Sequence, residues 1–171
     1  VPGGALGGED GMLADGVRRQ TEQIFQNIDF VLADLDEGLM GQRMGGFLVW
    51  KQAYHLVHSL DKNYMDPGAF TEPNFQTPNL DVIYRDEGKP LSLAEIRSYY
   101  AEVRQRISSF NAALTDASLA EMVSAFGKEY SRLELIMAQL RHVFYHVGYF
   151  HCWIKLEKGR TPEYIGLYKI K

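Results

Sequence analysis

Cysteine is almost absent from this chain: Cys152 stands alone among 171 residues. That excludes an intrachain disulfide and suits a reducing compartment, so a cytoplasmic protein is expected. No apolar run approaches the roughly 20 residues needed to span a membrane. Charge of one sign is lacking too, since 18 Lys and Arg face 22 Asp and Glu for a net charge of −4. No Lys/Arg run forms a stripe, which argues against a nucleic-acid partner. No strand signal and no internal repeat is evident. A nucleophilic-serine motif, a phosphate-binding glycine loop and an H-E-x-x-H are all missing. The opening VPGGALGGEDG has no apolar stretch of the signal-peptide kind and no initiator Met. Residues 1–12 are read as a flexible glycine-rich tail, set aside from the fold.

What remains, 13–171, is long enough for one domain with a real core. Val17, Ile24, Ile28, Val31 and Leu35 fall at helical spacing and predict a first helix from about Asp15 to Asp36. Gly38, Gly41, Gly45 and Gly46 punctuate its end. A second helix follows from about Phe47 to Asn63, with Trp50, Ala53, Val57 and Leu60 on its core face. Lys51, Ser59 and Lys62 lie on the other side, which periodicity reads as exposed. Four of the six prolines (Pro67, Pro73, Pro78 and Pro90) then break any period from Met65 to Pro90. A loop of that length fits a crossover between parallel neighbours of a helix bundle, and Leu80, Val82, Ile83 and Tyr84 suggest that it packs down. Ser92 and Glu95 form a capping box, after which Ile96, Tyr100, Val103, Ile107, Phe110 and Leu114 make a strong seam. A short helix over 118–126 and a last helix from about Glu129 to Lys158, stopped by Gly159, complete the reading. The fold class is all-α, with four main helices.

Three of the five histidines crowd into QLRHVFYHVGYFHCW. On a helix His142 and His146 stand about 40° apart in angle and roughly 6 Å apart along the axis. Two imidazoles so placed can share a divalent metal with a third ligand from elsewhere; a bare pair of this kind also occurs as solvated or core-bonded histidines. His151 is about 140° round from His146 and a poor further ligand, and Cys152 is about 240° round and reads as a small packed hydrophobe. Tyr149 and Trp153 fall near the ligand side, as an aromatic wall or as core. For a general base, Asp29, Asp61, Asp81 and Glu134 stay equally open.

RHVFYHVGYFHCWI, VWKQAYHLVHSLDKNY and the closing PEYIGLYK resemble the DinB/YfiT-like family of four-helix-bundle metalloenzymes, in element order from about Asp15 to Lys169. The glycine of HVG matches a common feature of that family's last helix. The resemblance implies a four-helix bundle with a long crossover between its second and third helices. It also implies three metal ligands, one from the second helix and two from the last: His55, His142 and His146. His58, one turn on from His55, reads first as surface. Three neutral imidazoles leave a divalent ion with open positions, and nickel, zinc, iron and manganese all suit nitrogen donors. Affinity should then fall below about pH 6. The resemblance implies a small-molecule substrate and either metal-dependent hydrolysis or transfer to a low-molecular-weight thiol; the alternative is a non-catalytic metal-binding stress-response protein. Finally, Leu133, Met137, Leu140, Phe144, Val147 and Ile154 give the last helix a second apolar seam. That seam needs a cover, whether the Met65–Pro90 loop, the C-terminal YIGLY segment or a second copy, and a homodimer is expected.

Overall fold

Glycine and proline punctuation divides the chain into four long helical stretches, and each of them forms. The computed structural model describes residues 11–166. In chain order its elements are α1 (Met12–Asp34), α2 (Glu37–Met40), β1 (Arg43–Met44), β2 (Phe47–Leu48), α3 (Val49–Tyr64), α4 (Leu93–Ala112), α5 (Asp116–Leu119), β3 (Met122–Ala125), β4 (Lys128–Ser131) and α6 (Arg132–Lys158). Residues 1–10 of the expected tail, and 167–171 at the end of the PEYIGLYK stretch, lie outside the described residues. The fold is mostly helical. Helix α1 packs on α4 and α6, and α3 packs on the same two. The α1 seam (Val17, Ile24, Ile28, Val31 and Leu35) is buried, as are Ile96, Tyr100, Val103 and Ile107 of α4. Burying each Val, Leu or Ile contributes about 1.5–3 kcal/mol, which makes this shared core the main source of stability.

The helix ends correct the sequence reading in several places. Strands do occur, as two antiparallel hairpins. Residues 122–125 alternate exposed and buried, the period of a strand, and pair with 128–131 across Phe126-Gly127, where both φ values are positive. Such a two-residue turn matches the twist of a hairpin, so the short helix stops at Leu119 instead of running to 126. Gly45-Gly46 makes the same kind of turn between β1 and β2. Helix α6 therefore starts at Arg132, capped by Ser131, whose hydroxyl accepts from Glu134 N–H while the Glu134 carboxylate accepts from Ser131 N–H at 2.7 Å. Helix α1 starts earlier than expected because Asp116, a hundred residues away, accepts from the Ala14 N–H at 2.8 Å.

Helix α3 departs furthest from the exposed polar side expected of it. Thirteen of its sixteen residues are buried, so it is covered on all sides. Lys51, Tyr54, His55, His58 and Lys62 form a polar stripe at helical spacing, and each bonds the long connection between α3 and α4. Lys51 donates to the carbonyls of Arg85 and Glu87, and Tyr54 donates to the Gln76 side chain. His55 Nδ1 donates to the Asp81 carbonyl at 2.8 Å. His58, only 2% exposed and not a surface residue, meets the Glu72 carboxylate at 2.6 Å, and Lys62 meets the same carboxylate at 3.0 Å. Lys51 is fully buried, and desolvation lowers its pKa below the usual lysine range. Two carbonyl acceptors compensate that burial.

The far side of α6 is partly covered by the protein itself. Leu140, Val147 and Ile154 are in the core, whereas Met137 and Phe144 are 51% and 41% exposed. Tyr164 packs edge-on against Phe144 and His151. Its neighbour Ile165 is pinned by Asn27, a fully buried side chain of α1. Asn27 Nδ2 donates to the Ile165 carbonyl at 3.0 Å, and its Oδ1 accepts from Ile165 N–H at 2.9 Å. Asn27→Ala would leave both Ile165 groups without their partner, at a cost of about 1–3 kcal/mol. Urea unfolding of the variant should show that loss; a change within about 0.5 kcal/mol would mean that the segment is not held by Asn27.

Candidate metal centre

His55 of α3 and His142 and His146 of α6 converge. One nitrogen from each ring lies within 4.8 Å of the other two. Ring centroids are 4.9 Å apart for His55 and His146, 5.4 Å for His55 and His142, and 4.7 Å for His142 and His146. The helical i, i+4 spacing aligns the α6 pair, and α3 packing on α6 supplies the third ring.

Hydrogen bonds fix the tautomers. His55 Nδ1 faces a carbonyl, which only accepts, so Nδ1 carries the proton and Nε2 the lone pair. His146 Nδ1 faces Gln52 Oε1 at 3.1 Å and is protonated for the same reason. Its Nε2 lone pair then meets His142 Nε2 at 3.0 Å, so in the metal-free protein His142 Nε2–H donates across that gap. Gln139, 3.5 Å from His142 Nδ1, is itself held by Ser59 at 3.2 Å. A metal-ligand histidine commonly donates its other ring N–H, as His55 and His146 do here, whereas His142 Nδ1 accepts from the Gln139 amide.

Burial holds the rings neutral. His146 is 3% exposed, and desolvation, followed by repulsion from His55 and His142, pushes its pKa down to about 3. Desolvation also lowers His55 and His142, with the Asp81 carbonyl opposing it at His55 and the His55 charge adding to it at His142. Neutral imidazoles with one nitrogen each turned toward one point, two as lone pairs and His142 Nε2 carrying an exchangeable proton, fit a divalent cation. A cation held by all three would take the place of the proton between His142 and His146, and that proton would move to His142 Nδ1 or to solvent.

The cavity at these rings is about 220 Å³, lined by Gln52, Phe47, Ile83, Tyr84, Tyr145 and Tyr149 beside the three histidines. No carboxylate is among its lining residues. Asp29 pairs with Arg104 at 2.6 Å, Asp61 with Arg106 and Tyr99 at 2.8 Å each, and Glu134 caps α6. Only Asp81 touches the cluster, through its carbonyl, while its carboxylate accepts from Gln76 at 3.0 Å. Tyr149 lines the cavity, as its spacing suggested; Trp153 lines the adjoining groove. His151 stands away from the cluster, with its buried Nε2 unpartnered. Cys152 is exposed in the groove and not packed, because the helix face that it shares with Gly148 has no neighbouring helix. Sequence reasoning missed Gln52 and Gln139. Their signal was helical spacing: Gln52 precedes His55 by three, and Gln139 precedes His142 by three.

No protein-family model and no curated protein matches the sequence. The structure is similar to the crystal structure of a DinB-like protein from Bacillus cereus ATCC 10987, with a TM-score of 0.66 and 18% sequence identity. The likeness covers 90% of this chain and 97% of that one. The chain has a DinB-like fold. None of its described helices is long and apolar enough to cross a membrane.

The buried imidazoles make stability depend on pH in the metal-free protein. Their folded pKa values lie below the unfolded value of about 6.5, so in between the unfolded chain binds more protons. Stability is therefore full above about pH 6.5 and is lost as pH falls, over a window that reaches to about 3 for His146. The same depression carries neutral ligands to lower pH than the value near 6 expected for ordinary histidines. Urea midpoints of metal-free protein should drop between about pH 7 and pH 4.5. His146→Gln should flatten part of that drop, and identical slopes would contradict a neutral buried His146.

Proposed function

We propose that this protein is a metal-dependent enzyme in which His55, His142 and His146 hold one divalent cation: nickel, zinc, iron or manganese. The observation that carries the reading is the convergence of three neutral imidazoles whose outer nitrogens are already bonded. We also read the four long helices as a four-helix bundle of DinB type, with the 65–92 connection as its crossover and residues 13–171 as one domain.

When bound, such a cation would supply Lewis acidity and lower the pKa of a water or small thiol at an open position. The chain's own contribution is positional. Gln52 and the Asp81 carbonyl orient two rings, and the connection shields them from bulk water. Phe47, Ile83 and the tyrosines dry the cavity, which strengthens every charge interaction within it. The polar side chains on the wall beyond the histidines are Gln52, Tyr84, Tyr145 and Tyr149. Hydrolysis and transfer to a low-molecular-weight thiol both suit three protein ligands with room for an exogenous group. A non-catalytic metal-binding protein of the stress-response kind is the alternative, and the open cavity beside the rings favours the enzyme. A cytoplasmic location rests on the single cysteine. A homodimer is part of the same proposal, with Met137 and Phe144 as exposed apolar contacts on α6; a monomer in sedimentation at micromolar concentration ends it.

Calorimetric titration with zinc tests the ligand set. Alanine at His55, His142 or His146 should weaken binding on the order of 100-fold or more, and Gln52→Ala about 10–100-fold. His151→Ala should stay close to the natural protein. Binding that survives His55→Ala but not His151→Ala would contradict the assignment. Metal-loaded protein should also turn over a member of a panel of esters, amides and electrophiles with small thiols. Absence of metal-dependent turnover across that panel would favour the binding-only alternative.

A further inference from the structure

The three-histidine cavity adjoins a second, larger space. Tyr145 and Tyr149 line the cavity and also line an open groove of about 490 Å³ between α6 and the β1–β2 hairpin, completed by Met44, Gly148, Trp153 and Leu156. Pockets that bury a small ligand run to roughly 300–1,000 Å³. The cavity, at about 220 Å³, falls short of that range and the groove lies within it. Their chemistry also differs. The cavity presents imidazoles and Gln52, whereas no Asp, Glu, Lys, Arg or His is among the groove's lining residues. The two most exposed large apolar side chains of the described residues mark this region: Tyr84, 78% exposed, at the cavity, and Leu156, 77% exposed, at the groove. Apolar surface left open to water beside a polar cavity is a mark of a ligand-binding groove.

Two glycines shape the space. Gly148 sits in the middle of α6, where glycine is roughly 1 kcal/mol less favourable than alanine. A Cβ there would meet nothing within 4 Å, so packing does not require the glycine, and its absent side chain leaves the groove open. Gly45, at φ +56 in the hairpin turn, is different: a Cβ there would collide with the Tyr149 hydroxyl. The Tyr149 hydroxyl thus fills the space that the glycine leaves, in the wall shared by cavity and groove.

From this adjacency we infer that the substrate is amphiphilic, with a polar metal-binding group in the histidine cavity and a hydrocarbon group lying along the groove past Tyr149 and Trp153. The inference rests on the metal-dependent reading proposed above and narrows its substrate class. A small molecule is the occupant because the groove borders the cavity across two tyrosines that line both. The apolar residues offered to a second copy, Met137 and Phe144, line neither the cavity nor the groove.

Straight-chain hydroxamic acids, from acetohydroxamic to octanohydroxamic acid, are suitable probes, titrated by calorimetry into zinc-loaded protein. Each methylene buried in the groove should tighten Kd about fourfold, corresponding to about 0.8 kcal/mol per buried CH₂. Gly148→Leu, which fills the groove and raises helix propensity, should abolish that gain while leaving acetohydroxamic acid binding close to natural. Leu156→Glu, at an exposed position, should weaken the long-chain members selectively. A flat chain-length series, or one that neither variant alters, overturns the groove. The increment per methylene belongs to the groove, so it should persist at weaker affinity on metal-free protein. If the protein takes up no zinc, the metal-dependent function falls, and the metal-free series alone decides the groove. Sedimentation of the same samples decides the occupant. A dimer that octanohydroxamic acid or Gly148→Leu dissociates would put a second copy in the groove and overturn the small-molecule assignment.

Discussion

The hydrogen bond from His55 Nδ1 to the Asp81 carbonyl joins the two parts of this protein that depend on each other most. On one side is α3, whose polar stripe of Lys51, Tyr54, His55, His58 and Lys62 is largely removed from bulk water. On the other is a connection from 65 to 92 with no helix or strand of its own. Each buried donor left without an acceptor would cost about 1–3 kcal/mol, so the stripe can be buried only where the connection supplies carbonyls and carboxylates. The connection in turn has few apolar anchors, Leu80 being its one fully buried hydrophobe. It keeps its place through those same bonds. His55 is therefore oriented by a segment whose position depends on other members of its own stripe.

Burial gives the site its electrostatic character. Three histidines in water would be partly protonated near neutrality and would repel one another. Here desolvation keeps them neutral, and the carbonyl of Asp81 and the amide of Gln52 choose which nitrogen carries the proton. In a dry pocket the His146 Nε2 lone pair has the His142 Nε2–H as its nearest polar company, which explains the 3.0 Å contact between them. The polarity of the site ends at its tyrosines, beyond which the walls become hydrocarbon.

Much of this was legible in the sequence, because the seams of α1 and α4 repeat every three or four residues and Ser92 and Glu95 announce a cap. The convergence of His55 with His142 and His146 was legible from helical spacing on α6 and a family resemblance at α3. What escaped depends on contacts distant in sequence. Lys51 and His58 read as exposed because a polar stripe normally faces water, and their acceptors lie 14 to 36 residues further on. The hairpins escaped because two- and four-residue strands are too short to show a period. Asn27 could not announce that it holds Ile165, 138 residues away. Cys152 was placed on the correct side of the helix, but whether that side meets a neighbour is a property of packing.

The central claim is that three neutral imidazoles make a site for one divalent ion. Elemental analysis of the full-length protein, expressed in metal-replete medium and purified without a metal-affinity column, tests it most directly. About one divalent ion per chain is expected in the natural protein and close to none in a folded His55→Ala variant. A natural protein that emerges metal-free and takes up no ion when metals are supplied would contradict it, as would a His55→Ala variant that retains the full complement.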